Sequence, residues 1–102
     1  MITFEREWRT RTSEAYSIWE DEGLVGRVDV HFQGANVYAS LCVTADADEP
    51  RIQTLIDAVD ERLVMTADPF RDDLVVSVWK GSPAGIYSDA DGDDSIELGP
   101  PG

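Results

Sequence analysis

Asp29, His31 and Ser40 are the residue types from which a nucleophilic site is built: a hydroxyl, a base to take its proton and an acid to orient the base. Cys42 offers a second nucleophile. His31, Cys42 and Lys80 are the only residues of their types, so the usual catalytic side chains are nearly missing, whereas carboxylates number 21. Acids also sit at alternate positions in Asp89-Ala-Asp91-Gly-Asp93-Asp94, as in a calcium loop. Such a loop needs Gly at its sixth position and Glu at its twelfth, where this chain has Asp94 and Pro100. The run therefore reads as a solvated acidic tail. The chain has no phosphate-binding glycine loop, no Gly-x-Ser-x-Gly elbow and no histidine pair for a metal. No catalytic residue, metal or cofactor is assigned.

The elements that would position these residues follow from hydrophobic period. Residues 2–9 alternate Ile2, Phe4, Arg6 and Trp8 against Thr3, Glu5, Glu7 and Arg9, a strand pattern broken at Arg6. Residues 15–20 form a second strand. Its faces, Tyr16/Ile18 and Ala15/Ser17/Trp19, are both partly apolar, and neither is marked as the buried one. Glu20-Asp21-Glu22-Gly23 is a turn, with Gly23 expected to supply a positive φ. From Leu24 to Gln33 the even positions (Leu24, Gly26, Val28, Val30, Phe32) face a core and the odd ones (Arg27, Asp29, His31, Gln33) face out. After Gly34-Ala35 the phase inverts, and Val37, Ala39, Leu41 and Val43 become the apolar set.

That inversion fixes a register. A two-residue loop at Gly34-Ala35 pairs Gln33 with Asn36, Phe32 with Val37, Val30 with Ala39 and Val28 with Leu41. A slip of one residue would set apolar against polar along the whole hairpin. Gly first in the loop suits a type II′ turn. On the outer face His31 then meets Tyr38, Asp29 meets Ser40 and Arg27 meets Cys42. Ser40 and His31 are only diagonal neighbours, roughly 7–8 Å apart at Cα, and no oxyanion-stabilising element lies nearby, so the Ser40/His31/Asp29 triad is set aside. Cys42 lies about 13 Å along the strand direction from His31, farther still.

Asp48 is placed to cap a helix, with Pro50 in its first turn. Ile52, Leu55, Ile56, Val59 and Leu63 make one apolar stripe, and the helix is expected to end near Met65. Leu74–Lys80 is the last firm strand, with Leu74, Val76 and Val78 on one face and Val75, Ser77 and Trp79 on the other. Ile86-Tyr87 is a short extension, and residues 89–102 read as a disordered acidic tail beyond a single domain over 1–88.

The fold class is α+β: a single, mostly antiparallel sheet of about five strands in the order β-β-β-β-α-β, with one amphipathic helix packed on one face. Val30, Leu41, Leu55, Val59 and Val76 are the expected core. The expected strand order is 4-3-2-1-5 with every pair antiparallel, the commoner kind; the alternative sets the last strand parallel beside the fourth through a right-handed crossover.

Composition bounds the function. The chain has 102 residues, 42% of them hydrophobic, enough for one core. A single cysteine excludes an intrachain disulfide and a Cys-based zinc site, and suits a reducing, cytoplasmic compartment. The early charges Glu5 and Arg6 do not resemble a signal peptide, and no apolar run approaches the ~20 residues of a membrane span. A net charge of −13 would repel phosphate backbones and anionic lipid, so neither nucleic acid nor membrane is an expected partner. Asp supplies 13 of the 21 acids, a bias that suits a halophilic source.

With catalytic groups scarce and one sheet face uncovered, the expectation is a non-enzymatic module that forms a homodimer or binds another protein. Its interface residues would be Arg27, His31, Tyr38, Cys42, Val75 and Trp79, unless Trp8, Trp19 or residues 84–87 fold over that face. Two alternatives remain: an acidic mimic of nucleic acid that binds a basic protein, and a small-molecule binder or enzyme with a pocket between helix and sheet.

Overall fold

The computed structural model describes residues 1–82 and 84–89. Strand β1 (Ile2–Arg9) is followed by β2 (Ser13–Glu20), β3 (Gly23–Gln33) and β4 (Asn36–Val43). Helix α1 (Glu49–Val59) runs on into a π-helical turn (Asp60–Val64), and β5 (Asp73–Lys80) closes the order. The acidic run beyond Asp89 lies outside the described residues.

The β3–β4 hairpin has the register that its phase inversion dictates: Gln33 pairs with Asn36, Phe32 with Val37, Val28 with Leu41 and Arg27 with Cys42. Gly34 takes φ +64° and Ala35 stays in the negative half, the pattern of a type II′ turn. At the β2–β3 turn the positive φ falls on Asp21 (57°), not on Gly23, because Gly23 already pairs with Glu20 as the first residue of β3. Asp is one of the few residues that enter this region readily.

Two bulges redirect side chains that simple alternation had put elsewhere. The β1–β2 register shifts between Arg6 and Trp8, so Trp8 lies opposite Ala15 on the outer face and not in line with Ile2 and Phe4. A second shift between Ile18 and Trp19 leaves Val25 unpaired. Val25 packs against the core, and Leu24, opposite Trp19, moves to the outer face.

The sheet is open, in the order β1-β2-β3-β4-β5, with β4 and β5 parallel. This overturns the expected placing of β5 beside β1. The crossover through α1 returns the chain to the β4 edge, where Leu74 meets Val37, Val76 meets Ala39 and Val78 meets Leu41. The apolar stripe of β5 thus extends that of β4, whereas β1 offers its neighbour the mixed row Glu5, Arg6, Glu7 and Arg9.

α1 begins where Asp48 accepts a hydrogen bond from the Arg51 amide (3.0 Å), with Pro in its first turn. Leu55 and Val59 are buried against Val28, Val30, Val37, Ala39, Leu41 and Val43. The π-helical turn, closed by the Met65 amide on the Asp60 carbonyl (2.8 Å), advances the helix by one residue, so that Val64 is fully buried and Leu63 only half. Val76 is also half-buried, since β5 is an edge strand. β2 turns Ile18 and Tyr16 to the helix side. Among the described residues no helix is long and apolar enough to cross a membrane.

Candidate functional site

On the outer face the pairings line residues up in rows across the sheet. One row runs Ser13, His31, Tyr38, Val75; the next runs Ala15, Asp29, Ser40, Ser77; a third runs Ser17, Arg27, Cys42, Trp79. The six residues singled out in the sequence occupy the first and third rows. Val75 sits beside Tyr38, and Trp79 beside Cys42, only because β5 lies next to β4.

The face divides into two halves. Over β1–β3, Ala15 is fully buried and Ser17 nearly so. Trp19 donates its indole N–H to Ser17 Oγ (2.9 Å), and Ser17 Oγ donates to the Glu5 carbonyl (3.4 Å). Arg27 bonds Glu7 (2.6 Å), which shares this face with Glu5, and its own strand neighbour Asp29 (3.0 Å). Beyond β5 the chain crosses to this half. Ser82 closes a small apolar hollow with Leu24, Arg27 and Cys42, and Ile86 joins Glu7, Trp8 and Arg27 around an open cleft of about 600 Å³. Over β4–β5 the face is open: Tyr38 is 40% exposed, Val75 43% and Trp79 68%. The sequence posed an uncovered face and a folded-over face as rivals; each describes one half.

The nucleophilic candidates are not brought together. His31 Nδ1 bonds Ser13 Oγ (2.7 Å) across the β2–β3 pair, and the carboxylate of Asp29 is engaged by Arg27. Ser40 is exposed one row away. Cys42 is a free, half-buried thiol beside Trp79. Sequence reading missed the Ser13–His31 contact because it began β2 at residue 15. Among the described residues no group of three or more His, Cys, Asp or Glu is placed to hold a metal ion.

On the helix side, a cleft of about 370 Å³ opens at the start of α1 between Glu20, Val25, Asp46, Asp48, Arg51 and Leu55. Its polar groups already serve the fold. Arg51 is bonded to Glu20 (2.5 and 3.3 Å), and Asp48 is the helix cap. Farther along, Tyr16 donates its hydroxyl to Glu14. Burial, the hydrogen bond to Glu14 and the Glu14 charge push the phenol above its ordinary range, with Arg6 opposing them. Tyr16 meets the Phe4 ring edge-on at 6.3 Å, and the Arg62 guanidinium lies over that ring at 5.8 Å. These contacts fasten the π-helical turn to β1 and β2.

Compared with known protein families, curated proteins and solved structures, the chain matches none.

Proposed function

We propose that this chain is a non-enzymatic interaction module of a reducing, cytoplasmic compartment, and that it works by self-association through the β4–β5 side of its sheet. The observation that carries the reading is the exposure of Tyr38, Val75 and Trp79 on the adjacent strands β4 and β5, in the two rows that flank Ser40 and Ser77. Trp and Tyr are enriched at interface centres. A surface otherwise rich in carboxylate has little reason to leave an indole 68% exposed unless something covers it. The catalytic alternatives are weaker. His31 is bonded to Ser13 and Asp29 to Arg27, and the cleft at the start of α1 has its Arg51 and Asp48 already satisfied.

Light scattering on a sizing column tests this. The chain is expected to elute with the mass of a dimer at tens of micromolar, and Trp79→Asp to reduce it to a monomer with an unchanged circular-dichroism spectrum. A strictly monomeric wild type overturns the reading.

A further inference from the structure

The two edges of the sheet differ in kind. β1 carries Glu5, Arg6, Glu7 and Arg9 and a bulge, devices that discourage pairing with another strand. β5 has no bulge, and its only charges are at its two ends, Asp73 and Lys80. Between Asp73 and Lys80 its residues are Leu-Val-Val-Ser-Val-Trp, with no charge, no Pro and no Gly, and no bulge interrupts its pairing with β4. Val75, Val78 and Trp79 are all substantially exposed. A long, flat, apolar edge of this kind is a template for another strand.

The phase of the ladder says which backbone groups are available. Lys80 is the partner of Val43, and the Gly81 amide donates to the Val43 carbonyl (2.9 Å). In a parallel pair the bonded residues alternate. Val75, Ser77 and Trp79 therefore turn their amides and carbonyls to β4, and Val76 and Val78 turn theirs to the open edge.

We propose that two copies of this chain join their β5 edges antiparallel about a two-fold axis through Ser77, making one continuous ten-stranded sheet from two five-stranded ones. In this register Val76 exchanges backbone hydrogen bonds with the second copy's Val78, which is the phase that the ladder leaves free. Val75 lies opposite the second copy's Trp79 on the outer face, an aromatic–β-branched pair. The small Ser77 side chains meet on the axis. Lys80 lies opposite Leu74, so no like charges face each other. The neighbouring register, centred on Val76, would set Asp73 against Trp79 and forfeits this match. The occupant is a second copy because the strand is complementary to itself in sequence, in face and in hydrogen-bond phase.

The inference rests on the self-association reading, and the test separates the two. Val78→Pro removes an edge-facing amide and leaves the bonds to β4 intact. It is expected to yield a monomer by light scattering, with circular dichroism retained. A Val78→Pro dimer alongside a Trp79→Asp monomer overturns edge pairing and leaves association through the sheet face standing. A monomeric wild type overturns both.

Should Val78→Pro fail to fold, crosslinking decides. With Cys42→Ser to remove the native thiol, Ser77→Cys places two thiols across the axis at a Cα separation of about 4.5 Å, and near-complete disulfide dimer is expected on mild oxidation. Sheets stacked face to face would hold these positions about 10 Å apart, beyond disulfide reach, so no crosslinked dimer would overturn the proposal.

Discussion

Gly26 shows how closely two backbones approach when one residue has no side chain. It pairs with Val43 beside the Val25 bulge, and a Cβ built on it would stand 2.5 Å from the Cys42 carbonyl oxygen. That oxygen is main chain and has no rotamer through which to yield, so β3 and β4 would have to part. Gly26→Ala is expected to destabilise the fold by about 1–3 kcal/mol in urea denaturation, the range for overpacked sites. Gly81→Ala, which meets nothing within 4 Å, should be near neutral. Equal effects would mean that the close approach at Gly26 does not govern its stability. In the sequence this glycine is only a gap in an apolar row. The bulge that explains it is invisible there, because Val25 and Leu24 are equally plausible core residues until a partner strand decides between them.

At the scale of elements, the helix and the sheet each bury one stripe, and the stripes are unequal in depth. Leu55, 1% exposed, projects from α1 into the middle of β3 and β4, whereas Val75 lies on the outer face of an edge strand. Leu55→Ala is expected to cost about 2–5 kcal/mol. Val75→Ala, measured in dilute monomer, should stay within about 0.5 kcal/mol. Reversed costs in chemical denaturation would mean that the helix covers the other face. Periodicity made Leu55, Val59, Val30 and Leu41 legible as core, since each sits in a stripe with the period of its element. It overestimated Val76 and chose Leu63 over Val64. The first error comes from edge exposure. The second comes from the π-helical turn, whose one-residue advance leaves no mark in the run Asp60-Glu61-Arg62. The outer cluster was legible as residues but not as a surface. In the expected strand order Val75 and Trp79 would lie at the opposite edge from Tyr38 and Cys42, and only the parallel crossover makes them neighbours.

The whole molecule is governed by an imbalance that no local pairing can cancel. Several acids are matched: Glu20 by Arg51, Asp60 by Arg71, Glu7 and Asp29 by Arg27, and Glu14 by Arg9. Eight bases cannot match 21 acids, so most carboxylates repel one another across a small fold and would repel a second copy as well. Such repulsion is long-ranged in dilute salt, where the Debye length is about 10 Å at 0.1 M, and nearly extinguished at 1 M, where it is about 3 Å. The melting temperature is therefore expected to rise with salt over this range. For a domain of this size each 1 kcal/mol relieved appears as roughly 4–8 °C. The dimer should tighten in parallel, because its contact strand, with Asp73 and Lys80 at its ends, has no net charge while the molecules that carry it are strongly acidic. Sodium and potassium chloride should act alike, since screening depends on ionic strength. Sulfate would add a separate strengthening of apolar burial and belongs outside the comparison. Sucrose, uncharged, should not reproduce the effect on dimer mass. A melting temperature and a dimer mass that are both flat from 0.1 to 1 M chloride would show that the −13 charge is spread widely enough to be harmless without salt, and would remove the argument that it reflects a saline interior.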